Sequence, residues 1–505
     1  MTLTMMAWIF FLMYIAALVY LGWLGQRKTK TLTDFVAAKQ SYGWWWLSLA
    51  TMAQWCSAAA FMGQPGLGYN IGFPALWYVI GYIFSGFAWA LSIYGMWQAG
   101  ARTGARSTPN YLGIRFNSKA IQLIAALVTL MMIFYVAAQF VGLGWVFMVA
   151  LNIPSYLIGC FIAAFITAGY ICAGGTHSDI LTDALQGAVM VIVALIALFT
   201  AFLLVVKGGP AGVNASITAQ NAAIGWHNTF SSFAPAFMPW AAVSICVALG
   251  FGALSPQMSK NFLALRSSVD IKKMVIFSAI LMIIMSFMML AGIGIRALYG
   301  THPELGPLLA KSPDQAIIQF FTREFHPILG AFLVVGILCA IMSTADGLYL
   351  AISTAITTDI YRDMIAPKIH KNITPEALDR RALILNRIMV VVIAVVSLWI
   401  ATPPPKFLTV LLWTGLGGFT VAISPSLILG ALFRRTTRVA TLASMIGSIA
   451  VYVYLITIGG MHPFPAIGYG LIVSLGLHLI VNPFTKPEPE EHLNRIFGKR
   501  QAGRM

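Results

Sequence analysis

The chain has 505 residues, of which 59% are hydrophobic and 9% charged, and its mean hydropathy is +0.84. A water-facing globule of this size needs more polar surface than that, so lipid must be the solvent. The net charge of +16 is dispersed through many short loops, which excludes the single basic stripe of a nucleic-acid-binding surface and fits orientation in a bilayer with anionic headgroups.

Thirteen apolar runs are long enough to cross a hydrocarbon core of ~30 Å as helices. They lie at 6–24, 44–69, 73–98, 120–150, 154–174, 180–206, 237–254, 272–298, 325–361, 383–401, 407–432, 438–458 and 466–482. The first has no basic residue before it and Arg27, Lys28 and Lys30 after it, the reverse of a cleavable signal peptide, and reads as a retained helix. The predicted architecture is all-α and polytopic: one membrane transport domain over 1–485 and a short cytoplasmic tail over 486–505. With the N-terminus outside, the loops after the first, third, seventh, ninth and eleventh runs and the C-terminal tail face the cytoplasm. Of 31 basic residues only Lys207, Arg296, Lys311, Arg323 and Lys406 then fall outside, and the reverse orientation inverts that ratio. All five cysteines lie within runs, too scattered for a metal box or a disulfide framework.

Two runs are interrupted. The second carries Gly63-Gln64-Pro65-Gly66 near its outer end, and the seventh carries Pro239 at its start, then Gly250, Gly252 and Pro256. They lie five runs apart, so they cross in opposite directions, as broken helices do in inverted repeats that build a midplane site. Gly and Pro are also common in ordinary membrane helices, so spacing alone leaves both readings open.

Two acids sit where a carboxylate is costly. Asp183 lies one turn inside the sixth run and Asp346 in the middle of the ninth, where insertion scales put the penalty at about 2.5–3.5 kcal/mol each. No Lys or Arg is expected at their depth, which makes a bound cation or a proton the simplest partner. Asp179 reads as a helix cap, and attraction to the same helix N-terminus is the structural alternative for Asp183. Ala340, Ser343, Thr344 and Gly347 follow the i, i+3, i+4, i+7 spacing and share one face of the ninth run. That face suits close helix packing, and it equally gathers the hydroxyl and carbonyl oxygens that a hard cation such as Na+ prefers.

These residues match a family. Phe61-Met62-Gly63-Gln64-Pro65-Gly66, Gly174-Gly175 with Thr182-Asp183 and Gln186, Ala340-Ile341-Met342-Ser343-Thr344-Ala345-Asp346, and Trp413 through Gly418 with Arg434-Arg435-Thr436-Thr437 resemble the sodium/solute symporters over nearly the whole chain. The resemblance implies a leucine-transporter-like five-plus-five inverted repeat, about 44–210 and 235–432, with one helix before and two after. It places a shared Na+ site on the carbonyls of Ala53, Cys56 and Ala340 and the hydroxyls of Ser343 and Thr344. A second cation would fall near Asp183, Ser343 and Asp346. Solute contacts would come from Ser57, Gln64, Tyr78, Gln139 and Trp413, although aromatic and amide residues also serve as interface packing. Where the proline branch carries an acid in the unwound stretch this chain has Trp55, and the arginine of sialic acid carriers has no counterpart, which speaks against those two solutes.

The expected function is therefore Na+-coupled uptake of a small polar solute, an organic acid or amino-acid-like metabolite, across the plasma membrane by alternating access, with Na+ as coupling ion and no organic cofactor. A proton-coupled carrier of the same fold is the alternative, with Asp183 and Asp346 relaying the proton. The residues after the last run are too few for a signalling module, which speaks against a sensor. No intramembrane His pair, Ser-His set or metal box points to an enzyme.

Overall fold

The computed structural model describes residues 2–29, 35, 36, 38, 40–224, 239–370, 372–405 and 407–498. Lys30, Lys39, Lys406, Lys499, Arg500 and the 225–236 part of the long loop after the sixth run lie outside them. Among the described residues regular structure is helical, apart from one isolated bridge between Tyr42 and Leu265.

Ten helices are long and apolar enough to cross a membrane, and they correspond to the first, third, fourth, sixth and eighth to thirteenth predicted spans. Each of the other three spans is interrupted or short. The second is divided into Trp44–Trp55, a π-type turn at Ala59–Gly63 and Gln64–Ile71. The fifth is the short apolar helix Tyr156–Gly169, whose helical path runs on into the sixth through Gly175 at φ +64°, a conformation that favours glycine. The seventh, Ala242–Gly252 and Pro256–Ala264, bends by 44° at its break.

The break in the second span is not at its Gly-Pro cluster. Gln64–Ile71 is continuous helix with Pro65 in the first turn, where a missing N–H costs nothing. The chain departs from helix at Cys56 and Ser57 instead. There the freed amide of Ala58 is taken by Gln139 Oε1 at 3.1 Å and that of Ala59 by Ser57 Oγ at 3.1 Å. The glycines serve contact: a Cβ on Gly292 of the eighth span would lie 1.9 Å from the carbonyl oxygen of Pro65, and one on Gly68 would lie 2.1 Å from that of Met289.

The ninth and eleventh spans form the centre, with 83% and 89% of their most apolar windows buried, against 22% for the first and 28% for the tenth. On the face that carries most basic residues, Thr108–Arg115 forms a short helix capped by Ser107. The tail is not a free extension. Its helix Glu490–Phe497 is held by Arg434, whose guanidinium reaches Asn494 Oδ1 at 2.8 Å and the carbonyl of Gly498 at 2.7 Å, and by His492, 2.9 Å from the carbonyl of Ile114.

Candidate functional site

Where the second span breaks, it lies against the middle of the ninth. Ser343 Oγ sits 3.0 Å from the carbonyl oxygen of Ala53 and 3.2 Å from that of Ala340. Thr344 Oγ1 sits 2.9 Å from the carbonyl of Gln54, 3.2 Å from that of Ala340 and 3.5 Å from that of Ala53. Two hydroxyls and three carbonyls thus converge, all from fully buried residues. Four of the five expected donors are in this cradle. Cys56 lies beside it, buried at the break, and the carbonyl of Gln54 joins the group without having been expected.

A basic residue does lie at the depth of the buried acids, which corrects the expectation that none would, although its ion pair is with Asp179. Lys260, expected in a loop, lies on Pro256–Ala264, the bent continuation of the seventh span, and its ammonium pairs with Asp179 in the interior. Its side chain is 7% exposed and that of Asp179 3%. The local sequence had looked like a loop because a span that bends at Ser255-Pro256 no longer reads as one apolar run. Asp179 is accordingly not a simple cap: the sixth span begins at Gly175, which puts it in the second turn. Gln54 Nε2 donates to Asp179 Oδ2 at 2.9 Å and also to Asp183 Oδ2, so the two carboxylates share one amide. Asp346 lines the same cleft as Asp179 and Thr182.

Around the break the expected solute residues are buried. Gln64 Nε2 donates to the Tyr82 hydroxyl at 2.5 Å, and the Tyr82 ring meets that of Trp55 edge-on, centroids 6.5 Å apart. Phe464 of the thirteenth span packs between Tyr78, edge-on at 5.8 Å, and Trp413, tilted at 5.1 Å. A Cβ on Gly252, at the break of the seventh span, would lie 3.2 Å from the Trp413 ring. Ser57 and Gln139 are occupied by the backbone of the break itself. The polar atoms Trp55 Nε1, Gln64 Oε1 and Tyr78 OH are buried with no hydrogen-bond partner among the described residues. Tyr82 and Phe464 were not expected; Tyr82 was legible, lying four residues from Tyr78 on the same helix face.

Residues 35–448 match the sodium:solute symporter family model. The chain belongs to that family. Family members couple Na+ to the movement of a small solute through a membrane, so this chain is a multi-pass transporter and not an enzyme. It is 26% identical to the osmoregulated proline transporter OpuE of Bacillus subtilis over 96% of both chains. It is also 26% identical to a sodium/proline symporter of Haemophilus influenzae, covering 88% of this chain and 87% of that one. In structure it resembles a Na+-coupled sialic acid symporter in a substrate-bound outward-open state, with TM-score 0.76 and 18% identity over 95% of this chain and 98% of that one. The nucleobase-cation-symport-1 transporter MHP1, in a closed conformation, gives TM-score 0.52 and 16% identity over 92% and 98%. These likenesses establish the leucine-transporter-like fold.

Proposed function

We propose that the protein takes up a small polar solute, an organic acid or amino-acid-like metabolite, across the plasma membrane in exchange for the free energy of inward Na+ movement. The observation that carries this reading is the cradle at the break: carbonyls of Ala53, Gln54 and Ala340 with the hydroxyls of Ser343 and Thr344, a neutral all-oxygen set suited to dehydrated Na+. The cradle joins the second and ninth spans, so an ion bound there has different affinity for states in which those spans are together or apart, which coupling requires. A second cation near Asp183, Ser343 and Asp346 belongs to the same proposal, since Asp179 and Asp183 share the Gln54 amide and Asp346 lines the cleft that Asp179 borders.

The basic face is assigned to the cytoplasm by the excess of Lys and Arg on it, with the N-terminus outside and 1–485 acting as one transport domain. Trp55 Nε1, Gln64 Oε1 and Tyr78 OH offer a donor, an acceptor and a hydroxyl, with no charged side chain. An amino-acid-like solute fits them, and the relatives' names support it. Trp55, in the place of the proline branch's acid, separates this pocket from theirs. A thermal-shift screen of the purified carrier against amino and organic acids, with Na+ or choline, tests the proposal: a solute that raises the melting temperature only with Na+ supports it, and stabilisation indifferent to Na+ refutes it.

A further inference from the structure

Gln54 has its backbone in the ion cradle and its side chain in the acid cluster. Its carbonyl oxygen accepts from Thr344 Oγ1 at 2.9 Å, while its amide donates to Asp179 and Asp183. Its Oε1 accepts from Asn261 Nδ2 at 3.1 Å, and Asn261 is the residue after Lys260. The ninth span packs closely on this amide: a Cβ on Gly347, one turn beyond Ser343 and Thr344, would lie 3.2 Å from Gln54 Cδ. One residue of the second span therefore touches the sixth, seventh and ninth.

The Lys260–Asp179 pair ties the bent half of the seventh span to the sixth, and two clefts on the basic face end at it. One is bordered by Arg106, Thr108, Lys260 and Thr354, the other by Gly22, Asp179, Thr182 and Asp346, and Leu350 lines both. Their cavities are about 30 and 20 Å³, room for about one water and not for a hydrated ion. The pair thus lies between the two clefts, with Lys260 lining one and Asp179 the other. A buried ion pair is held by attraction in a dry, low-dielectric interior and loosens once water enters, so it has a closed state and an open one.

We propose that Gln54 is the coupling residue of this carrier, transmitting ion occupancy of the cradle to the Lys260–Asp179 latch. This rests on the cradle being the Na+ site and on the basic face being cytoplasmic. A bound ion draws the carbonyls of Ala53 and Gln54 onto the ninth span, which fixes the Gln54 amide against both carboxylates and keeps the latch shut. When the ion leaves, the break relaxes, the amide withdraws, and two adjacent carboxylates without their shared donor favour water over the dry pair. Lys260 then parts from Asp179 and the clefts join.

The test reads the latch separately from the ion site. Thr354→Cys, in a background with the five native cysteines replaced, puts a buried thiol in the cleft beside Lys260, and inside-out vesicles expose it to an impermeant maleimide. Otherwise unaltered protein should label between about fivefold and 150-fold more slowly in Na+ than in choline, the range of ordinary allosteric couplings. Gln54→Met, of similar length and without the amide but with its backbone carbonyl kept, should label fast in both media. Asp179→Asn, which breaks the latch itself, should also label fast in both, and it decides the matter by the same criterion if Gln54→Met fails to reach the membrane. Na+ slowing retained in these variants overturns the inference, as does labelling indifferent to Na+ in the parent, with Gln54 and Asp179 intact, when Na+ raises the parent's melting temperature. If Na+ neither slows labelling nor raises the melting temperature of the parent, the cradle reading itself falls.

Discussion

Thr344→Ala removes the oxygen that lies 2.9 Å from the Gln54 carbonyl and 3.2 Å from that of Ala340, and Ser343→Ala removes its neighbour, 3.0 Å from the Ala53 carbonyl. An ion held by five oxygens loses one, and in a fully buried site water refills the gap only in part. An unmade polar contact of this kind costs about 1–3 kcal/mol, which weakens Na+ binding between about fivefold and 150-fold. The melting temperature of purified carrier, titrated with Na+ at constant ionic strength with choline, reads this without knowledge of the solute. At a concentration 100 times the wild-type Kd, Na+ stabilises the wild type by about 2.7 kcal/mol, and a variant weakened a hundredfold retains only about 0.4 kcal/mol. Thr344→Ser keeps the oxygen and should titrate close to the wild type. The two losses should not simply add, because the residues share the Ala340 carbonyl. Alanine variants that both titrate like the wild type would refute the assignment.

Single cysteines at Asn214 and Asn372 in a cysteine-free protein should differ in labelling from outside intact cells, the first accessible to an impermeant maleimide and the second not; the opposite pattern reverses the orientation. Lys260→Gln should cost about 3–5 kcal/mol of stability, because it leaves Asp179 charged and buried, and Asp179→Asn in the same chain should restore most of the melting temperature; no restoration would mean the pair is not the source of the loss. Solute uptake by the wild type should rise sigmoidally with Na+, and Asp183→Asn should lower the Hill coefficient to about one; a wild-type coefficient of one, with normal transport by Asp183→Asn and Asp346→Asn, eliminates the second cation. In the loop between the eighth and ninth spans, burial pushes the Asp314 carboxyl up to about 7 although it accepts the amide of Leu408 at 2.8 Å. The folded state then holds a proton that the unfolded chain, with a value near 3.9, releases, so this residue's stabilisation is full below about pH 4 and is lost as pH rises to about 7. Asp314→Asn should therefore lessen the fall in melting temperature between pH 5 and 8, and an unchanged slope refutes the argument.

The spans were legible because hydropathy over about twenty residues reports burial in lipid directly, and even the three interrupted ones were present as apolar runs. The hydroxyl face of the ninth span was legible too, since Ala340, Ser343, Thr344 and Gly347 repeat at the helical period. Two features were not. The break at Cys56 and Ser57 contains neither Gly nor Pro, and what satisfies it is Gln139, 81 residues away in sequence from Ala58. The partner of Asp179 was hidden for the same reason: Lys260 follows a proline and sits among polar residues, as a loop lysine does, and the 44° bend that brings it inside is a tertiary fact. Local pattern reports which residues avoid water, and it does not report which remote side chain satisfies a polar group once it is buried.

The most direct test is accumulation of radiolabelled solutes, an amino-acid and organic-acid panel that includes proline, in proteoliposomes at fixed pH with an inward Na+ gradient. At least one solute should reach an internal concentration above the external one, choline in place of Na+ should abolish this, and Ser343→Ala with Thr344→Ala should shift the Na+ requirement upward. Accumulation driven by a pH gradient without Na+, or equally well by the double variant at every Na+ concentration, would contradict it.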